Sequence, residues 1–376
     1  VSAIASDVIV IGGGLHGLSA ALQLARARRK VVVLERAWTG RHASGATAAG
    51  VRTLRRDLAE MPLALEAMDM WHRLSAIVGD DCGFKAHGQV CVAETPRHLA
   101  TLEERAALAR RHGYDHEEVI DRPELQRIMP AISSHCVGGL IARRDGSADP
   151  HRTLAAFRRS AEAAGVAICE GTGVTAIERR GSDWIAVAGD RRFTAPVVIN
   201  AAGAWAGQVA AMVGDDIPLG TKASMMIVTE PIEPLVKPVV SALGRSLSFK
   251  QTDRGALLIG GGLQGRSDLD GQLAHVAMAE LAKGARAAVE IFPAARGVRV
   301  ARAWAGLEAK TADLLPVIGP SPGAPGVFHV FGFSGHGFQL VPAVGAAMAE
   351  LVTQGATNRP IAAFAAGRLM TLKAAA

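Results

Sequence analysis

Gly12, Gly14 and Gly17 stand in a Gly-x-Gly-x-x-Gly spacing, and Glu35 follows Gly17 by 18 residues. These residue types at this spacing suit the binding of a dinucleotide. The first glycine permits a tight turn, the second lets the backbone approach a pyrophosphate, and the third lets a helix pack on a strand. The helix N-terminus then offers free N–H groups and a partial positive charge to the phosphates. A carboxylate such as Glu35, at the end of the next strand, accepts hydrogen bonds from both ribose hydroxyls. Leu15, His16 and Arg36 complete this group of candidate contacts, with packing as the alternative role for His16. The spacing alone does not separate a flavin from a nicotinamide dinucleotide.

The elements needed to position these residues are visible in the hydrophobic pattern. Residues 7–11 and 31–34 read as short, β-branched, buried parallel strands. Leu15, Leu18, Leu22 and Ala25 form the apolar face of a helix between them. Further on, the pattern predicts helices over 57–78, 96–112 and 153–164, and strands over 88–93, 166–168 and 197–199. A hairpin joins 184–187 to 191–194 around Gly189-Asp190. The middle changes character, with strands at 224–229, 246–251 and 256–259, the last two joined by a turn at Asp253-Arg254-Gly255. A helix over 271–289 follows, then a strand at 327–331, a glycine loop at 332–339 and a helix over 340–353. No internal repeat is present.

Composition bounds the rest. The chain has 376 residues, 49% hydrophobic and 20% charged, enough for a sizeable core and more than one domain. Glycine is in excess, 42 residues, without a collagen period or a low-complexity tract. The net charge of +6 is scattered and there is one tyrosine, which argues against a nucleic-acid surface and fits a bias toward anionic ligands. Cys82, Cys91, Cys136 and Cys169 show no metal spacing and suggest a reducing compartment; no metal is expected. No signal peptide is visible at Val1. Residues 195–214 and 314–349 carry no Asp, Glu, Lys or Arg, but prolines and glycines break both runs, so buried strands and ligand loops are expected rather than a membrane span.

Five blocks carry a resemblance. They are the N-terminal glycine unit; Ala43-Ser44-Gly45-Ala46-Thr47-Ala48-Ala49-Gly50; Asn200-Ala201-Ala202-Gly203-Ala204-Trp205; Trp304-Ala305-Gly306-Leu307; and Pro316-Val317-Ile318-Gly319 followed by Gly332 to Gln339. In these the chain resembles the FAD-dependent amino-acid oxidoreductases of the D-amino-acid oxidase superfamily. Glycine oxidase and the catalytic β subunits of sarcosine oxidase, proline or hydroxyproline dehydrogenase, opine oxidase and hydrogen cyanide synthase are similar. The resemblance implies a mixed α/β (α+β) architecture: a Rossmann-like FAD-binding domain from residues 1–78, 144–222 and 298–376, and a substrate domain from 79–143 and 223–297 on a largely antiparallel sheet.

The resemblance also implies a cofactor footprint. Ser44, Gly45, Ala48, Ala49 and Gly50 are small enough to lie against the pyrophosphate and the flavin ring. Val174 follows a glycine turn and its backbone is implied to meet the adenine, while Ala202, Gly203 and Trp205 approach the cofactor again. Gly335, His336, Gly337, Phe338 and Gln339 precede a helix whose positive end would stabilise negative charge on the reduced flavin. No cysteine stands near 310–313, where monomeric sarcosine oxidases tether their flavin, so non-covalent FAD is expected.

On the substrate side, the implied reaction is hydride transfer from the carbon beside an amine nitrogen to flavin N5, giving an imine that water hydrolyses. Sarcosine, proline or hydroxyproline, D-amino acids and opines are the implied substrates. A carboxylate on such a substrate wants a guanidinium, for which Arg52, Arg55 and Arg302 are candidates. Glycine oxidase carries an arginine directly after the Trp-Ala-Gly-Leu block, where this chain has Glu308. That departure argues against glycine oxidation and offers Glu308 to a cationic group, with a salt bridge to Lys310 or an arginine as the alternative. Lys250, on the same strand face as Ser248, and His336 in the glycine loop are the catalytic candidates. The strand where sarcosine oxidases place an oxygen-activating lysine reads Leu257-Leu258-Ile259 here, which favours a dehydrogenase. The look-alikes imply partner subunits in a hetero-oligomer; a cytoplasmic location is expected, with membrane association through a partner as the alternative. An NAD-dependent dehydrogenase, a flavin monooxygenase and a non-catalytic flavoprotein subunit are the competing readings.

Overall fold

A computed structural model of the protein describes residues 3–374. Its first organising sheet has six strands in the order Val317–Pro320, Val327–Phe331, Val197–Asn200, Val8–Ile11, Val31–Leu34, Ala167–Cys169. All neighbours are parallel except the edge strand Val317–Pro320, which is antiparallel to Val327–Phe331. Val8–Ile11 and Val31–Leu34 are buried at every position, as continuous β-branched runs require inside a sheet covered on both faces. On one face lie Leu15–Arg26 and Gly337–Gln354, packed on each other, with Met61–Trp71 against the latter. Ser19 Oγ in the first of these helices donates to Val341 O in the second at 2.9 Å.

The second sheet has eight strands, ordered Val300–Lys310, Gly220–Pro231, Ala256–Gly260, Ser248–Gln251, Val239–Ala242, Gln89–Ala93, Gly138–Ala142, Glu118–Asp121. It is antiparallel throughout except where Val239–Ala242 runs parallel to Gln89–Ala93. Its core packs under the helix Met278–Ile291, with Phe249 and Phe292 stacked at 4.7 Å. The mixed, largely antiparallel character is the expected one. One boundary differs: Val300–Lys310, expected in the nucleotide-binding part, is the edge strand of this second sheet, paired along Gly220–Pro231.

Other local readings shift for identifiable reasons. The helix expected over 57–78 is two helices, Met61–Trp71 and Leu74–Val78, separated at Arg73, whose φ of −121° leaves the helical region. The helix expected from 271 begins only at Met278, because Leu273–His275 pairs with Arg266–Asp268 as a hairpin through Gln272 in the left-handed region. The last long helix begins at Gly337 rather than 340, so the end of the glycine loop is its first turn. Among the described residues no helix is long and apolar enough to cross a membrane.

A clamp joins the two halves. Gly50–Val51 pairs with Gly146–Ser147, and Ala148 N donates to Ala49 O at 3.0 Å. The buried Asp145 carboxylate accepts from Thr53 N at 2.9 Å and Leu54 N at 2.8 Å. From the second sheet, Lys250 Nζ donates to Ala148 O at 3.2 Å. Burial pushes the Lys250 pKa down to about 8, with Asp149 and Asp253 pulling it back up.

Asp145→Asn turns an acceptor that faces two N–H groups into a group presenting its own donors. It lowers unfolding free energy by about 1–3 kcal/mol, read from thermal or urea unfolding; an unchanged midpoint contradicts the clamp. For Lys250 the folded pKa of about 8 lies below the ordinary 10.5. The unfolded chain therefore binds more protons across that window, and this group's contribution to stability rises with pH through it. The stability difference between wild type and Lys250→Met moves in favour of wild type by on the order of 3 kcal/mol as pH rises through the window. A pH-independent difference refutes the depressed pKa.

Candidate active site

One elongated cavity of about 630 Å³ runs between the two sheets, within the 300–1,000 Å³ usual for small-molecule sites, roughly speaking. Of the residues singled out in the sequence, it is lined by Gly12, Gly14, Leu15, His16, Glu35, Arg36, Ser44, Ala48, Gly50, Arg52, Arg55 and Val174. Ala202, Gly203, Trp205, Glu308, Gly335, His336, Gly337 and Phe338 complete that set.

At one end the glycine turn meets the start of Leu15–Arg26, which has no acidic residue in its first turn to compete with a phosphate. Leu15 N donates to Ser44 Oγ at 3.0 Å, which ties the loop after residue 43 to this helix end. A Cβ on Gly12 would lie 2.4 Å from Ala201 O, so the two strand ends close on each other only with glycine there. Glu35 Oε2 accepts from Gly13 N at 2.7 Å and Oε1 from Ala37 N at 2.9 Å. Each oxygen keeps a further lone pair, so the carboxylate is fixed in place and still able to accept from ribose hydroxyls. The Arg36 guanidinium stands over the Trp205 ring at 4.3 Å.

In the middle of the cavity, a helix start, a strand and the two small-residue loops converge. Trp304 Nε1 donates to Ala46 O at 3.0 Å, and a Cβ on Gly306 would fall 2.4 Å from Ala46 Cβ. Here the Trp-Ala-Gly block lies against the small-residue loop. His16 stacks on Phe333 with centroids 3.7 Å apart and planes 2° from parallel. Burial pushes its pKa down to about 3, so it is a neutral packing ring at neutral pH. His336 Nδ1 is 3.2 Å from Glu60 Oε1. Burial lowers the His336 pKa although Glu60 raises it; on Glu60 burial is outweighed by His336 and Arg56, which hold it below its ordinary value. A neutral ring beside an ionised carboxylate favours the tautomer with Nδ1 protonated, which leaves Nε2 as an acceptor.

The far end is cationic. Arg52, Arg55 and Arg56 all line the cavity. Arg52 Nη1 donates to Leu54 O at 2.6 Å. Arg56 is buried and ties the wall together, donating from Nε to Arg52 O and from Nη2 to His336 O, both at 2.9 Å. Burial, then Arg52, push its pKa down to about 9, which still leaves it charged at neutral pH. Glu308 is half-buried and paired. Its Oε2 is 3.4 Å from Lys222 Nζ and accepts from Ser224 Oγ at 3.0 Å. Lys222 also donates to Ser334 O at 2.8 Å. The salt bridge is thus made with Lys222, not with Lys310 or an arginine.

Six candidates lie outside the cavity lining. Gly17 and Gly45 serve packing: a Cβ would fall 2.1 Å from Gly12 O and 2.3 Å from Gly40 O respectively. Ala49 is buried behind the loop with φ 53°, in contact with Ala148. Gln339 turns away from the glycine loop: its Oε1 accepts from Arg56 Nη2 at 3.1 Å and its Nε2 donates to Ala64 O at 2.6 Å. Lys250 shares a face with Ser248, which does line the cavity, but two residues carry it about 7 Å along the strand to the clamp at Ala148. Arg302 is exposed and stands over Trp304 at 5.2 Å; six residues place it about 20 Å along the strand from Glu308. Lys222, Ser224, Arg56, Gln89 and Ser241 line the cavity without having been singled out. Period-two alternation through Lys222 and Ser224 was the one signal available for any of them.

The residues present fit FAD, with a phosphate-ready helix end, a fixed carboxylate for a ribose, and small residues where a flat ring must pass. Residues 7–351 match the FAD dependent oxidoreductase (DAO) family. The chain is 28% identical to the sarcosine oxidase subunit beta of Rhizobium meliloti, over 95% of this chain and 87% of that protein. It is 27% identical to the glycine oxidase of Geobacillus kaustophilus, over 96% of this chain and 97% of that one. Among solved structures, the L-proline dehydrogenase of P. horikoshii superposes with a TM-score of 0.91 at 26% identity, covering 98% of this chain and 99% of the other. The chain belongs to the DAO family of FAD-dependent oxidoreductases, enzymes that include oxidases of amino acids and amines.

Proposed function

We propose that this enzyme oxidises the C–N bond of an amine that carries a carboxylate, with FAD held non-covalently. The observation that carries the reading is the continuity of one cavity, from the glycine turn and Glu35 at one end to Arg52 and Arg55 at the other. When bound, FAD supplies the hydride acceptor for the carbon beside the amine nitrogen, and water hydrolyses the resulting imine.

The chain's own residues do the rest. Glu35 and the first turn of Leu15–Arg26 hold the ribose and pyrophosphate end. The loop through Ser44, Ala48 and Gly50 and the turn Gly335–Phe338 line the part of the cavity that would take the ring. A guanidinium pairs with both oxygens of a carboxylate, so Arg52 and Arg55 orient the substrate. The first turn of Gly337–Gln354 places its N–H groups and positive dipole end at the cavity, where negative charge is favoured. His336 lines the same space and is suited to accept a proton or a hydrogen bond. Lys250 lies at the clamp and has no catalytic part. The uncharged strand Ala256–Gly260 supports a dehydrogenase, whose electrons leave to a partner or a quinone-linked acceptor. The name of the Rhizobium meliloti relative, a subunit, supports work beside a partner chain. The four unpaired cysteines suit a reducing cytoplasm.

The direct test is anaerobic mixing of the purified yellow protein with sarcosine, proline, hydroxyproline, D-amino acids and opines. Bleaching of the flavin bands by at least one of them is expected; bleaching by none removes the reading. Denaturation releases the yellow colour into the supernatant, and colour left on the precipitated chain contradicts non-covalent binding. Arg52→Gln raises KM for the oxidised amine by about 10- to 100-fold and leaves FAD bound. An unchanged KM takes Arg52 out of substrate binding. Turnover with an artificial dye acceptor exceeds oxygen consumption if the enzyme is a dehydrogenase; the reverse order makes it an oxidase.

A further inference from the structure

Behind the nucleotide end of the cavity lies a buried polar chain that the binding residues above do not include. Asn200, Asp215 and His329 are each at most 1% exposed. They come from the end of Val197–Asn200, from the loop after the helix Ala206–Ala211, and from Val327–Phe331. His329 Nε2 stands 2.8 Å from Asp215 Oδ2, and His329 Nδ1 stands 3.3 Å from Asn200 Nδ2. Asp215 is itself anchored, accepting from Ser321 Oγ and from Gly323 N at 3.2 Å. A carboxylate only accepts, so Nε2 carries the ring proton and Nδ1 accepts from the Asn200 amide.

Asn200 passes this order to the cavity wall. Its Oδ1 accepts from Ala202 N at 3.3 Å, and its Nδ2 donates to Ala206 O at 2.8 Å. Between those two backbone groups lies the turn Gly203–Trp205, and residues 201–205 all line the cavity. The same strand end borders the phosphate turn. Ala201 N donates to Ile11 O at 2.9 Å, and Ala201 O is the atom that a Cβ on Gly12 would strike. One amide in one orientation thus satisfies both ends of the turn. Reversed, it would set N–H against N–H at Ala202 and oxygen against oxygen at Ala206. His329 selects between the two. A ring that accepts at Nδ1 suits the first orientation, and a ring protonated there suits the second.

We infer that Asp215 and His329 are positioning residues for FAD, acting through the Asn200 amide to hold the turn Ala202–Trp205 in its binding conformation while the His329 ring is neutral. The inference concerns the cofactor and is independent of which amine is oxidised. Burial pushes the His329 pKa below its ordinary 6.5 although Asp215 raises it. Asp215 is the charged group that faces the ring; Asn200 on one neighbouring strand, Gly319 on the other and Phe331, edge-on at 5.5 Å, bring no charge. Protonation at Nδ1 turns the amide over and frees the turn. FAD binding and His329 protonation therefore oppose each other. Affinity is full above the imidazole pKa and falls as pH drops through it, with a proton taken up as FAD leaves.

The test is the FAD dissociation constant of the diluted holoenzyme, read from free flavin in an ultrafiltrate between about pH 8 and about pH 5.5. Wild type is expected to hold FAD about tenfold more weakly at the acid end. Asparagine places its Oδ1 where imidazole has Nδ1. His329→Asn therefore keeps the acceptor for Asn200 but does not titrate, and it is expected to bind FAD as wild type does at the alkaline end and to lose the pH dependence. Glutamine reaches the Nε2 position instead. His329→Gln keeps the donor to Asp215, lacks the acceptor, and weakens FAD about tenfold at every pH. A ring that merely fills space would make these two variants alike. Equal affinities for the two at the alkaline end, a wild-type affinity that does not change with pH, or a fall that survives in His329→Asn each overturn the inference. Far-ultraviolet circular dichroism reports whether each variant has folded. Where one has not, Asn200→Asp takes its place, keeping the acceptor for Ala202 N and losing the donor to Ala206 O. It is expected to weaken FAD about tenfold, and an unchanged affinity overturns the inference.

Discussion

Much depends on the path of one short stretch of backbone, from residue 43 to residue 56. It must leave room for a flat ring and then, within a few residues, bring Arg52 and Arg55 to the cavity wall. Two of its residues, Ala49 and Arg55, sit in the left-handed region that side chains disfavour. Such a path does not hold itself. It is held from outside by a carboxylate that takes two successive N–H groups, by a two-residue ladder, and by a buried carboxylate under Arg55. Asp145 and Glu117 do not line the cavity, yet each holds the backbone beside a group that does.

The same logic explains a division of labour among the charged groups. Of the carboxylates behind the wall, Asp145 and Glu117 are satisfied by hydrogen bonds from the protein, and Glu60 is held by its charge beside Arg56 and His336. Arg56 is likewise spent on carbonyls and an amide. Arg52 and Arg55 each commit one Nη1 to the protein, to Leu54 O and Cys91 Sγ, and line the cavity. Glu308 is the opposite case: it faces the cavity, but Lys222 and Ser224 neutralise and anchor it, so it shapes the wall more than it recruits a cation. The Trp-Ala-Gly-Leu block before it is explained by packing against the loop at Ala46 rather than by any charge.

The nucleotide end was legible in the sequence because its determinants are local. Glycine spacing, a β-branched strand and a carboxylate at the strand end all lie within 36 residues, and hydrophobic period alone separates strand from helix there. The substrate end was legible only in part. Arg52 and Arg55 follow a recognisable loop, but Lys222 meets Glu308 through strand pairing across 86 positions, and Arg55 reaches Cys91 across 36. No local pattern records such pairings. The misplacements have the same origin. Arg302 and Lys250 have the side-chain chemistry of a site and the right strand face, but strand rise carries both past the cavity. Gln339 has the right loop and the wrong rotation, since the helix begins two residues before it and its side chain turns inward. The helix expected from 271 gave way to a hairpin because one left-handed residue outweighed helical periodicity.

The central claim is that the flavin and the carboxylate-binding arginines share one cavity. The most direct measurement is the visible spectrum of the FAD-loaded protein titrated with a carboxylate that cannot be oxidised, such as benzoate. A saturable shift of the flavin bands in wild type, weakened or lost in Arg52→Gln, is the predicted result. A flavin spectrum that does not move while calorimetry shows the carboxylate bound would place the two sites apart and contradict the account.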